Sequence, residues 1–165
     1  MFTTDVMKDE SRLLKEIDRH AQGLDIDIKP YKRKVMRLMS DEFSRKERDN
    51  LLIQTALENI DEAEPDWTYL AARIYLHELY DEAGKNRGYD ASSHPYGSFY
   101  DLIQMLTEKG LYSSRLLEKY SKEEIETCAG LIDPDKDYLF NYLGLHTLAT
   151  RYLAKDYDKN MYELP

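Results

Sequence analysis

The stretch Pro65–Ala83 reads PDWTYLAARIYLHELYDEA, and its reading decides the fold class. Trp67, Leu70, Ala71, Ile74, Tyr75 and Leu79 recur at the i, i+3, i+4 spacing of a helix. They form a wide apolar face and leave no run with the period of a strand. Pro65 stands where a helix can open, because its fixed φ and missing N–H are tolerated in a first turn.

The same spacing extends upstream. Ser44 and Glu47 form the S-x-x-E spacing of a capping box before Leu51, Leu52, Ile53, Ala56, Leu57 and Ile60, which predicts a helix from about Arg45 to Asp61. Pro30 fits the first turn of a shorter helix, with Val35, Leu38 and Met39 inward and Lys32, Arg33, Lys34 and Arg37 outward. Leu13, Leu14, Ile17 and Ala21 mark a first helix from Lys8 to Gln22, closed by Gly23 in a left-handed cap.

Downstream, GKNRGYDASSHPYGS at Gly84–Ser98 is dense in turn formers and reads as the clearest break in the chain. Phe99, Leu102, Ile103 and Leu106 then repeat helically up to Gly110, and Ser121 with Glu124 caps a short helix carrying Cys128. A last helix is expected from Pro134, carrying Leu139, Phe140, Leu143, Leu148 and Leu153. The expected class is all-α, an orthogonal multi-helix bundle of about seven helices with little or no sheet.

Composition narrows the function classes. Over 165 residues, 42% are hydrophobic and 33% charged, enough to bury a core as a globular protein. The net charge of −9 opposes a phosphate backbone, so neither nucleic acid nor an anionic membrane is an expected partner. The opening MFTTDVMKDESR lacks a secretory signal pattern, and no run reaches the ~18 apolar residues of a membrane helix. A single cysteine, Cys128, rules out an internal disulfide and suits a reducing compartment, so a cytoplasmic location is expected. The fourteen tyrosines suit half-buried packing or docking positions.

Candidate chemistry is sparse. In LIDPDKDYLFNYL at Leu131–Leu143 the alternating aspartates suggest a calcium loop, which needs glycine at position 6 and glutamate at position 12. Counted from Asp133 those positions are Tyr138 and Gly144, so Asp133 reads instead as an N-cap, Pro134 as the first helical residue, and Asp135 and Asp137 as dipole partners. His20, His77, His94 and His146 share no metal spacing: Asp81 stands where a zinc-protease helix would carry its second histidine after His77. His20 and His146 are expected at helix edges, and Cys128 as a small buried hydrophobe rather than a nucleophile. GKNRG at 84–88 lacks the strand that precedes a phosphate loop, and YKRKVMR at 31–37 reads first as a solvated face, with a nucleotide phosphate as the competing use. No catalytic residue, metal ligand or cofactor is expected in this chain.

Two stretches resemble a known family. PDWTYLAARIYLHELYDEA is similar to the PDY-x-YLAARL segment near the start of class I ribonucleotide reductase large subunits. FYDLIQMLTEKGLYSSRLLEKYSKEEIETCAGLIDPDKDYLFNYLGLHTLATRYL at Phe99–Leu153 resembles the rest of that family's N-terminal all-α domain. Residues 65–165 are therefore expected to form that domain. Residues 1–64, with GLDIDIKP at the turn between two helices, resemble the helical part of an ATP-cone whose first strand is not supplied. The resemblance places the cone's nucleotide-binding side chains at Arg12 and Arg45. It also places carboxylates at two further positions, Asp49 and Asp81, where they repel an anion, which implies a degenerate cone. Tyr69, Arg73, Asp133, Asp137, Tyr142 and Leu148 are expected to hold the domain together.

The function the resemblance implies is a non-catalytic helical part of a ribonucleoside-diphosphate reductase large subunit, an enzyme of deoxyribonucleotide biosynthesis for DNA replication. Its catalytic α/β barrel would lie outside these residues, so a fragment is expected. Implied partners are the remainder of the large subunit, the radical-generating small subunit and an allosteric nucleotide. Two other readings compete: a free-standing helical module that docks a protein through its tyrosines, and a regulatory domain that binds a nucleotide at Arg12 and the basic helix.

Overall fold

A computed structural model describes residues 3–165, with side chains described from Glu10 onward; the signal-free opening read from the sequence lies partly outside these residues. The described residues are all-helical, with seven helices of seven residues or more and no sheet beyond one isolated bridge between Lys155 and Met161. The contacts divide the chain into two units, Met1–Tyr75 with Asn141–Leu143, and Leu76–Phe140 with Gly144–Pro165.

In the first unit, Thr3–Ala21 (α1) packs on Ile28–Leu38 (α2), and α2 packs on Arg45–Leu57 (α3). Leu13 and Ile17 from α1, Tyr31 and Val35 from α2, and Leu52, Ile53 and Ala56 from α3 meet Trp67, Leu70, Ala71 and Ile74 of Trp67–Arg87 (α4) in one core. The caps are local. Ser44 accepts from the Glu47 N–H while Glu47 accepts from the Ser44 N–H, and Asp27 accepts from the Lys29 N–H at 3.1 Å to open α2. Gly23, at φ +77°, ends α1 in the left-handed conformation expected of it.

The turn after Gly23 is held from the start of α4. Asp66 accepts from the Asp25 N–H at 3.0 Å, and Glu64 accepts from both the Asp27 N–H and the Trp67 indole N–H. The Arg73 guanidinium donates to the carbonyls of His20 and Gln22 at 2.8 and 2.7 Å, which satisfies carbonyls left open at the end of α1. Tyr142 sits 5.7 Å ring to ring from Tyr75, and its N–H reaches the Thr68 hydroxyl. Thus two of the expected fold-holding residues, Arg73 and Tyr142, tie separate segments together.

In the second unit, Ser98 caps Phe99–Glu108 (α5), and Gly110 at φ +71° closes it. The short helix Arg115–Lys119 (α6), which periodicity did not announce, packs on α5 together with Lys122–Ala129 (α7). Leu102, Leu106 and the C-terminal Tyr162 form the buried centre of a cluster there.

Several boundaries depart from the sequence reading. The break expected from Gly84 comes later, because α4 runs through Arg87. A Cβ on Gly84 would lie 2.9 Å from the Tyr89 carbonyl, so this glycine serves a close backbone approach inside a helix rather than a turn. The helix expected to run to Asp61 stops at Leu57, leaving Ile60 exposed, and Leu38, expected inward, is 45% exposed at the end of α2. The single last helix expected from Pro134 is two elements. A 3-10 helix spans Pro134–Leu139, Phe140 is extended, and Tyr142–Arg151 (α8) follows. Asp133 is the N-cap as read, accepting from the Asp135 N–H at 3.1 Å. Leu139 and Leu143, read as part of that last helix, are exposed.

Candidate functional site

The basic stretch 31–37 is largely committed to its own unit. Tyr31 and Val35 are buried, Lys32 pairs with Asp18, and Lys34 pairs with Glu58 at 2.6 Å. Arg12 is exposed on α1 and Arg45 is exposed at the start of α3. Arg45 lies 3.7 Å from Asp49, with Arg48 at 3.6 Å from the same carboxylate. Asp49 is buried, and desolvation pushes its pKa up against the pull of Arg48 and Arg45. The nearby groove between Leu13, Met36, Met39, Phe43 and Arg48 is lined by neither Arg12 nor Arg45.

The histidines do not converge. His20 stands in the last turn of α1 and is buried, and His77 meets the Tyr80 ring edge-on at 6.1 Å. The His94 Nδ1 accepts from the Gly97 N–H at 3.1 Å, and His146 is exposed on α8. Cys128, expected as a buried hydrophobe, is exposed, and Ile125 is the buried residue of α7. Among the described residues no group of His, Cys, Asp and Glu is arranged to hold a metal ion.

The chemistry that sequence reasoning missed lies in the second unit, where Asp137 is buried rather than serving a helix dipole at the surface. The hydroxyls of Tyr80 and Tyr96 both donate to the Asp137 Oδ2, each at 2.6 Å, and the two rings lie 6.1 Å apart. Tyr96 also reaches the Pro165 carbonyl at 2.8 Å. Burial raises the Asp137 pKa and the two hydroxyls oppose that rise; burial and the carboxylate raise both tyrosines. The resemblance placed Asp137 among the residues that hold the domain together, but its spacing shows only one of three alternating aspartates, and its partners stand 57 and 41 residues away.

Beside this cluster is a cleft of about 440 Å3. Phe99 and Leu102 of α5, Ala129 and Gly130 at the end of α7, and Ile132 and Pro134 line it together with Glu163, Leu164 and Pro165. The C-terminal strap is tied down: the Asn86 amide donates to the Met161 carbonyl at 2.8 Å, and Glu163 accepts from the Ala154 N–H at 2.6 Å. Arg87 lines the cleft too. It donates through Nη2 to the Ser98 carbonyl at 2.7 Å, lies 4.7 Å from the Tyr89 ring centre, and keeps Nη1 buried without a hydrogen-bond partner. Burial lowers its pKa. Glu126 accepts from the Ser98 hydroxyl at 2.6 Å and from the Tyr100 N–H, so that its pKa is lowered while it holds the start of α5.

No family model matches the chain. Curated relatives do. Over 125 residues, 76% of the chain, it is 34% identical to the ribonucleoside-diphosphate reductase subunit alpha of Helicobacter pylori. The chain is homologous to ribonucleoside-diphosphate reductase alpha subunits. The subunit alpha of Synechocystis matches at 30% over 83% of the chain, and that of Enterobacteria phage T4 at 29% over 95%. The matched stretch spans 15% of the Helicobacter pylori alpha subunit, 17% of the Synechocystis one and 20% of the phage one. No helix of the described residues is long and apolar enough to cross a membrane.

Proposed function

We propose that this chain is a non-catalytic helical part of a ribonucleoside-diphosphate reductase alpha subunit, a scaffold for an enzyme that makes deoxyribonucleotides for DNA synthesis in the cytoplasm. The observation that carries the reading is the identity of 34% over three quarters of the chain. The all-helical fold supports it, and so does a site chemistry in which the polar groups, Asp137, Arg73 and Glu126, each hold backbone or hydroxyl partners within their unit. In this reading residues 65–165 are the N-terminal all-α domain, residues 1–64 are a degenerate ATP-cone, and the partners are the rest of the alpha subunit and the radical-generating subunit.

The test is a graft. The matched stretch of the Helicobacter pylori alpha subunit is replaced by this chain and assayed for ribonucleoside-diphosphate reduction with that organism's radical-generating subunit. Reduction above background is expected; a folded, soluble graft with none refutes the reading. The allosteric part is separate. The Asp49 carboxylate, 3.7 Å from Arg45, disfavours an anion beside it, so titration calorimetry with ATP and dATP is expected to give no binding heat. Binding abolished by Arg12→Ala would restore a working cone.

A further inference from the structure

The buried cluster around Asp137 is one hydrogen short when its carboxylate is charged. Tyr80 and Tyr96 each carry a single hydroxyl hydrogen, and both oxygens lie 2.6 Å from the Asp137 Oδ2. The Tyr96 oxygen also lies 2.8 Å from the Pro165 carbonyl, so Asp137 and Pro165 compete for one hydrogen. A charged carboxylate is the stronger acceptor and takes it, which leaves the Pro165 carbonyl facing a hydroxyl oxygen with no proton between them. Protonation supplies the missing hydrogen. With Oδ2–H donating to the Tyr96 oxygen, Tyr96 turns its own hydrogen to Pro165, Tyr80 still donates to Oδ2, and every short contact then holds a proton.

Pro165 ends the strap that walls the cleft. The strap's other ties bypass Asp137: Asn86 donates to the Met161 carbonyl, Glu82 accepts from the Met161 N–H at 3.4 Å, Glu163 accepts from the Ala154 N–H, and Asp156 accepts from the Tyr162 hydroxyl. We propose that protonation of Asp137 switches the Tyr96 hydrogen from the carboxylate to the Pro165 carbonyl and so clasps the strap, which loosens when Asp137 is charged. The groups facing this site are Tyr80 and His77 on α4, Tyr96 and Tyr89 before α5, and Asp133 and Tyr138 on its own segment, with Lys136 at 4.0 Å from Asp133. Arg87, His94, Glu126 and Glu163 line the cleft alongside Tyr96. Burial holds the Asp137 pKa above its ordinary value, the two hydroxyls oppose that rise, and Asp133 adds to it. The clasped form therefore prevails below the folded pKa and is lost as pH rises through it. Glu82, Glu163 and Asp156 act with the opposite sign, since each holds its tie best as a charged acceptor.

The test is hydrogen exchange at the amides of residues 161–164, read as protection factors between about pH 4 and about pH 8. The full chain carries an added Gly-Gly-Ser tail, so that Pro165 presents a peptide carbonyl. Tyr96→Phe keeps the ties to Glu82, Glu163 and Asp156 but cannot clasp, so each protection factor is taken as a ratio to that variant at the same pH. The wild-type ratio is expected to be about fivefold at the lower pH, the equivalent of one neutral hydrogen bond, and about one at the higher. Asp137→Asn puts an amide donor where the protonated carboxyl stands and is expected to hold about fivefold at both. Tyr80→Phe removes one donor to the charged carboxylate and is expected to move the wild-type midpoint to higher pH. A wild-type ratio that is the same at both ends of the range overturns the proposal, because a tyrosine that only fills space or ties the strap at every pH gives that result. Loss of protection in Asp137→Asn as pH rises also overturns it. If Asp137→Asn does not fold, an unmoved midpoint in Tyr80→Phe overturns it instead.

Discussion

Removing the Tyr80 hydroxyl tests the buried cluster most directly. In Tyr80→Phe the ring and its packing stay, and Asp137 loses one of two donors, each 2.6 Å from the same oxygen. A hydrogen bond to a charged group is worth roughly 1.5–3 kcal/mol net, so Tyr80→Phe should cost about 2 kcal/mol at neutral pH. Tyr96→Phe should cost no more than this, because its single hydroxyl hydrogen is shared between Asp137 and the Pro165 carbonyl. The double variant should cost less than the sum of the two, because a buried carboxylate stripped of both donors takes up a proton instead of staying charged.

The pH dependence has a definite sign. The folded pKa of Asp137 is raised, so the folded state holds that proton more tightly than the unfolded chain does. The site's contribution is fully present below the unfolded pKa and is lost as pH rises through the folded one. The tyrosine hydroxyls favour the charged form, so losing one matters most at neutral pH and less once the group is protonated. Urea denaturation followed by circular dichroism at about pH 7 and about pH 4 checks both points. A cost below about 0.5 kcal/mol at neutral pH, or one that does not change between the two conditions, refutes the assignment of Asp137 as a charged acceptor.

Other perturbations give independent checks. Gly84→Ala improves helix propensity yet pushes a Cβ to 2.9 Å from the Tyr89 carbonyl, so a loss of about 1–3 kcal/mol in the urea midpoint analysis is expected, not a gain. Ser121→Ala removes the hydroxyl that accepts from the Glu124 N–H at the start of α7, keeps the backbone N–H that donates to the Glu124 carboxylate, and should cost about 1 kcal/mol by thermal melting. Asp156 is held down to about 2, first by the Asn160 side chain. Its stabilisation is present above the ordinary carboxylate range and fades as pH falls toward 2, so Asp156→Ala should flatten the acid limb of a stability profile and leave its slope near neutral pH alone.

The sequence by itself determined whatever a few neighbouring residues settle. The Ser44 and Ser121 capping boxes, the Asp133 cap and the left-handed glycines at 23 and 110 stand where they were read, because each is closed by bonds spanning two to five residues. The helical face of Trp67, Leu70, Ala71 and Ile74 is buried as its spacing required. Resemblance to reductase large subunits was also legible, since it rests on the order of residues along the chain.

Tertiary structure alone decided the rest. Asp137 became a buried acceptor through partners 41 and 57 residues distant in the chain. The cleft needs the C-terminal strap, fixed to Asn86 across 75 residues. Periodicity and capping report the local backbone; which polar side chain is taken out of water, and by whom it is compensated, depends on segments that meet only when the chain folds.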